Sequence, residues 1–250
     1  MSMKVIIPNN TYKGVADGSS LTYDRRKQIL SVYDFVNTLG DESLTYKTLQ
    51  QRVAAEDFGI SDSAIRTFFP LLSKLGFVDY KDTFPACELF TKTGKVFMET
   101  FKSLLYAEGL HPQNVQLIDE LNHCLATIQR YGLIYMNSQE EFQQHGIWLS
   151  LAILKQEQEI YWPEFLYFLH LCENKQMSVR DAAREVRANR LKNVEYEYYN
   201  SDNKPIAGTS YSYTHAFLEE AGILRDIEVN HSQLEEGMYD FIELIDNYYE

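Results

Sequence analysis

The sequence predicts a mainly α protein with small β elements, built as two helical domains joined by a helical connector. Three observations predict this. Apolar residues recur at three- and four-residue steps through most of the 250 positions, as helices with one buried face require. Two stretches, 61–79 (SDSAIRTFFPLLSKLGFVD) and 207–225 (AGTSYSYTHAFLEEAGILR), fall into register when Leu75-Gly76-Phe77-Val78 is laid on Ala221-Gly222-Ile223-Leu224. Each reads as a helix stopped by glycine and followed at once by an apolar strand. The composition, 45% hydrophobic with 12 Gly and 6 Pro, supplies enough apolar surface for one large core or two modest ones.

The elements follow in order. A leader, extended or rich in turns, runs to about Ser20. A first helix, Asp24 to Leu39, has Ile29, Val32, Phe35 or Val36 and Leu39 at helical spacing, with Asp24 as its cap and Gly40 as its end. Ser43 or Thr45 starts a second, Tyr46 to Phe58, with Leu49, Val53 and Ala54 inward, and Gly59 makes the turn. The third opens at Ser61 or Asp62, buries Ile65, Phe68 or Phe69, Leu72 and Leu75, and stops at Gly76; Pro70 is expected to break or kink it. Phe77 to Tyr80 and Cys87 to Thr91 read as a strand pair around a polar turn, Lys81 to Pro85, and a helix from Gly94 to Ala107 follows. Residues 109–158 read as a connector, where Ile118, Leu121, Leu125 and Ile128 step at threes and fours.

The second copy is expected from residue 159. It comprises helices from Trp162 to Glu173 and Ser178 to Leu191, then an insertion, Asn193 to Gly208, that contains a strand-like 194–199. Beyond Ile223 and Leu224 no second strand is legible. A C-terminal helix, Gln233 to Tyr249, is expected to carry a heptad-like seam of Leu234, Met238, Phe241, Ile245 and Tyr248, suited to a homodimer contact or to packing on its own domain.

The phrase Leu89-Phe90-Thr91-Lys92-Thr93-Gly94-Lys95-Val96-Phe97 resembles the strand-to-helix junction of bacterial winged-helix regulators. With the element order of residues 24–105, it makes the chain similar to the winged-helix superfamily, whose members are mostly DNA-binding modules. The resemblance implies a winged-helix domain at 1–108 and a divergent second one at 159–250. A tandem of this kind resembles the DNA-recognition part of type IIS restriction endonucleases and, less closely, plasmid replication initiators. It also implies which residues face the major groove: Ser61, Asp62, Ser63, Arg66, Thr67 and Pro70 on the first reading helix, Lys81 in the adjoining turn, and Thr209, Ser210, Ser212, Tyr213 and His215 on the second. Arg66 is the best base reader, since a guanidinium can hold guanine through two hydrogen bonds.

Charge separates regions of the chain. The formal net charge is −13, which opposes generic affinity for a polyanion. Residues 1–104 and 171–210 nonetheless carry +1 each, whereas 105–170 carry −6 and 211–250 carry −9. Arg180, Arg184 and Arg187, extended by Arg190 and Lys192, form a basic stripe beside the apolar Val179, Ala183 and Val186. The stripe reads either as a phosphate-binding surface or as a solvated face held by helical ion pairs.

Catalytic signals are sparse. Pro163-Glu164 with Glu173-Asn174-Lys175, and Asp202-Asn203-Lys204, echo the carboxylate and lysine pattern of magnesium nucleases, but a helix is expected between the first two carboxylates. No phosphate loop, dinucleotide fingerprint or serine-hydrolase elbow is present. Cys87, Cys124 and Cys172 lie far apart, without zinc-ribbon or disulfide spacing, and fit a reducing cytoplasm. Neither a signal peptide nor a membrane span is expected. The expectation is a DNA-binding protein without catalysis, metal or cofactor, with double-stranded DNA as partner and an acidic tail available to a protein. The alternatives are a protein-interaction adaptor and, third, a metal-dependent nuclease.

Overall fold

The computed structural model describes residues 4–7, 20–56, 58–80, 82–139, 145–200, 202–205 and 211–246. These are mainly helical, with a few small strands. The chain divides into two compact units, residues 17–143 and residues 144–250 together with 1–16. The first strand, β1 (Lys4–Ile7), belongs to the second unit.

In the first unit, α1 (Tyr23–Thr38) is capped by Thr22, not Asp24: the Thr22 hydroxyl accepts the Arg25 N–H at 3.4 Å. Strand β2 (Ser43–Thr45) leads directly into α2 (Tyr46–Ala55). Thr45 and Thr48 close a reciprocal cap, each backbone N–H donating to the other's hydroxyl at 2.8 and 3.2 Å. Next, α3 (Asp62–Lys74) buries Ile65, Phe68, Phe69 and Leu72. It runs unbroken through Pro70, contrary to expectation, because the buried aromatic stripe on both sides outweighs one lost backbone hydrogen bond. At its end Gly76 adopts φ +71°, Phe77 N–H reaches the Leu72 carbonyl at 2.8 Å, and Gly76 N–H reaches that of Ser73 at 2.9 Å. This is a Schellman-type stop.

The expected strand pair after α3 shrinks to one bridge, Val78 to Phe90, with Asp79 N–H on the Leu89 carbonyl at 2.9 Å and Thr91 N–H on that of Phe77 at 3.0 Å. Part of the expected polar turn is instead β3 (Thr83–Pro85), antiparallel to β2 with Leu44 opposite Phe84. Cys87 lies in a 3-10 turn, where its N–H and that of Ala86 are held by the carbonyls of Gly40 and Glu42 at 2.9 and 2.8 Å. These bonds draw the chain across toward α1. Thr91 then caps α4 (Lys92–Leu110). A Cβ on Gly94 would stand 1.9 Å from the Phe77 carbonyl oxygen, so this helix can begin here only with glycine.

Helix α5 (Val115–Ser138) packs along α4 and against the end of α3. The Tyr135 ring covers Gly76, where a Cβ would come within 2.8 Å of it, and Gly132 lies against Leu75. Leu125, Leu133 and Met136 are fully buried. The first half of the expected connector is therefore core of the first unit.

The second half belongs to the other unit, as α6 (His145–Glu157), which packs on α8 (Val179–Arg190) and α10 (Tyr239–Asp246). It is followed by β4 (Glu159–Tyr161), α7 (Trp162–Asn174), α8 (Val179–Arg190), β5 (Glu195–Tyr198), α9 (Ser212–Glu220), β6 (Leu224–Glu228), β7 (His231–Leu234) and α10 (Tyr239–Asp246). Strand β1 pairs in parallel with β5, Lys4 opposite Glu195, which takes the leader out of the first domain where 1–108 placed it. Helix α9 ends as α3 does: Gly222 has φ +64°, with Ile223 N–H on the Leu218 carbonyl at 2.9 Å and Gly222 N–H on that of Glu219 at 2.8 Å.

Two expectations fail beyond that glycine. A strand pair is present, β6 with β7, and β7 also pairs with β4 to make a sheet in the order β4-β7-β6. It escapes sequence reading because residues Arg225 to Glu228 are all exposed and show no apolar alternation. The C-terminal helix, α10, begins only at Tyr239. Leu234 lies in β7 and Gly237, at φ +83°, separates it from α10, so the heptad-like seam is not carried on one helix; Tyr248 lies outside the described residues. Among the described residues no helix is long and apolar enough to cross a membrane.

Candidate nucleic-acid interface

Helix α3 has two unlike faces. Its inner one anchors the core through Ile65, Phe68, Phe69 and Leu72, and on the outer one Arg66 and Thr67 are exposed, with Ser61 exposed just before the helix. Ser63 lies on α3, but its side chain and all of Lys81 fall outside the described residues. Tyr46, at the start of α2, stacks on Tyr80 with ring centroids 4.6 Å apart and meets the edge of Phe69 at 6.0 Å. Its hydroxyl donates to the Ile65 carbonyl at 3.4 Å. Burial raises the Tyr46 pKa, and the positive charge of Arg66 acts against that shift. The cation thus stands beside an aromatic shelf. A guanidinium there offers a planar fork of donors to base edges.

The basic stripe of α8 divides into cations paired within the unit and cations left at the surface. Arg190 binds both oxygens of Glu164, with Nε···Oε1 at 3.2 Å and Nη2···Oε2 at 2.8 Å, and reaches Glu159 at 3.0 Å. Its guanidinium lies 3.6 Å from the centroid of the Tyr161 ring. On Tyr161 His231 also stacks, at 3.8 Å, while its Nε2 contacts Glu159 at 3.1 Å. Burial raises the pKa of Glu164, and the hydrogen bonds and charge of Arg190 work to lower it. Arg187 pairs with Glu157, whose side chain is only 7% exposed. Arg184 reaches Asp181 at 3.4 Å with both side chains exposed, and Arg180 and Lys192 are exposed. The helical step that lines up these arginines turns the last two toward carboxylates from α6, β4 and α7. Arg187 and Arg190 are therefore ion-pair partners within the unit, Arg190 half-buried and Arg187 with 58% of its side chain still exposed.

Helix α9 presents a different surface. Thr209 and Ser210 fall outside the described residues, while Ser212 and Tyr213 are exposed. The face continues into acid: Glu219 on the helix and Asp226 and Glu228 on β6 are exposed. His215 Nε2 lies 2.7 Å from Asp226 Oδ1, and the Ser232 hydroxyl donates to the same oxygen at 2.6 Å. Trp162 Nε1–H in turn donates to Ser232 Oγ at 2.7 Å. Serine, histidine and aspartate meet here, but the serine bonds the aspartate instead of the histidine and is wholly buried. That wiring gives no activated nucleophile.

The nuclease pattern also comes apart. Glu164 and Glu173 sit nine residues apart on the single helix α7, a rise of about 13 Å, too far to share one magnesium ion. Glu164 is in addition held by Arg190. His215 lies within reach of Glu219 and Asp226; sequence reading singled out His215 only as a groove-facing residue and passed over the other two, although the four-residue step from His215 to Glu219 is visible there. Compared with known proteins, the chain matches no family model, no curated protein and no solved structure.

Proposed function

We propose that the chain is a double-stranded DNA reader made of two winged-helix-like units, without catalysis of its own, and that the first unit does the reading. The order α1, β2, α2, α3, β3, α4 supports this reading, with the strand pair expected after α3 reduced to the Val78–Phe90 bridge. The second unit repeats it as α6, β4, α7, α9, β6 and β7, α10, with α8 and β5 inserted. In both, the short strand before the second helix pairs with a strand that follows the third, β2 with β3 and β4 with β7. One observation carries the reading: Arg66 and Thr67 stand exposed on the outer face of α3, beside the stacked Tyr46 and Tyr80, while the opposite face is fixed in the core.

The anionic face of α9 and β6 favours a second reading for the second unit alone, a surface for a basic protein partner. This matches a role as regulator or as recognition component of a restriction or replication system, in which one module reads and another recruits.

Selection of bound sequences from a random duplex pool tests the proposal. Wild-type protein is expected to enrich a motif and to lose affinity steeply with salt. Arg66→Ala should flatten preference at one position by about 1–3 kcal/mol, whereas Arg184→Ala should weaken selected and random DNA alike. A chain that shifts no duplex at low salt would overturn the proposal in favour of an adaptor.

A further inference from the structure

We infer that His215, Glu219 and Asp226 form a binding site for one first-row divalent transition-metal ion of the zinc class, a site that does not depend on DNA reading. His215 and Glu219 are four residues apart on α9 and so share a face, one turn apart. Strand β6 brings Asp226 beside them, and one donor atom from each lies within 4.8 Å of the others. One imidazole with two carboxylates is a donor set that zinc and its neighbours accept, at bond lengths of about 2.0–2.2 Å. Closing to those lengths takes a rotamer change at the exposed Glu219 and the opening of the His215–Asp226 pair from 2.7 Å to about 3.4 Å, the separation of two ligands at tetrahedral angles.

The site is supported from behind. Asp226 is held by the buried Ser232 hydroxyl, and Ser232 is held by the Trp162 indole N–H. The Trp162 ring also meets the imidazole edge-on, with centroids 5.1 Å apart. Hydrogen bonds and packing of this kind hold metal ligands in their binding orientation. The ion would take the place between His215 Nε2 and Asp226 Oδ1. Binding takes the neutral ring with its proton on Nδ1: the Nε2···Oδ1 contact is given up and the Nε2 lone pair goes to the metal. Three protein ligands leave the outer position to water. Two carboxylates and a divalent ion sum to zero charge, so occupancy would neutralise the most acidic part of the α9 surface.

Cobalt titration of the full chain, first stripped with chelator, tests this, with zinc measured by competition against a chromophoric chelator. One equivalent is expected to bind, with visible cobalt bands and no thiolate charge-transfer absorption. Glu219→Gln and His215→Ala should each weaken binding at least about tenfold, and Ser232→Ala, which leaves all three ligands in place, about tenfold. Glu219 is exposed, so Glu219→Gln keeps the fold and decides the matter even where His215→Ala disturbs packing on Trp162. Absence of cobalt bands, a thiolate band, or Glu219→Gln binding as tightly as wild type would each overturn the inference.

Discussion

Replacing Arg190 by alanine separates a structural arginine from a phosphate-binding one. The Glu164 side chain is 11% exposed and that of Arg190 26%, so removing the arginine strands a carboxylate in a poorly solvated place. Breaking such a pair costs about 3–5 kcal/mol. Arg190 is partly exposed and Glu159 is relieved at the same time, which puts the expected cost near the low end, about 3 kcal/mol. For a unit of about 120 residues this lowers the melting temperature by about 10 °C. Both tryptophans, Trp148 and Trp162, lie in the second unit, so urea unfolding followed by tryptophan fluorescence reports on that unit alone. The pH dependence has a definite sign. Burial already raises the Glu164 pKa, and removing Arg190 raises it further. From the unfolded value, about 4.3, up to that raised value, the native state binds more protons than the unfolded one, so stability falls as pH rises through the window. The deficit of Arg190→Ala should therefore be small near pH 4 and largest at neutral pH, and adding Glu164→Gln should recover most of it. A cost below about 1 kcal/mol, a deficit independent of pH, or no recovery would refute the assignment, since a phosphate-facing arginine contributes little to folding.

Other expectations are simpler. Gly94→Ala should destabilise the first unit by about 3 kcal/mol, because its Cβ meets the Phe77 carbonyl oxygen at 1.9 Å, while Gly109→Ala, with nothing within 4 Å, should stabilise α4 by up to about 1 kcal/mol; chemical denaturation of the two variants gives the comparison. Arg184→Ala should stay within about 0.5 kcal/mol of wild type in the same assay. Cys172, whose thiol burial pushes up to about 11, should resist iodoacetamide at pH 8, and the exposed Cys124 should react first by mass spectrometry, since alkylation requires the thiolate.

Local chemistry was legible wherever a backbone demand is local. Gly76 and Gly222 can be paired from sequence because each must take a positive φ at a helix end, and both do, with the same two hydrogen bonds. Thr45 and Thr48, three apart, are likewise readable as a cap. The arginines of α8 show the limit. Their spacing is plain in the sequence, but which of them meet carboxylates depends on Glu157, Glu159 and Glu164, which lie 26 to 31 residues away. The candidate metal site has the same character: the step from His215 to Glu219 is helical and local, whereas Asp226 joins them only through the β6–β7 hairpin.

By itself the sequence determined most of the helices, their buried faces and the two glycine stops, because periodicity and φ preference act over a few residues. Only the tertiary structure decided which helix belongs to which unit, that β1 crosses to β5, that Leu234 is strand and not helix, and which charges remain open to a partner. Those outcomes turn on pairings between distant segments, and the free energy of such a pairing belongs to both partners at once.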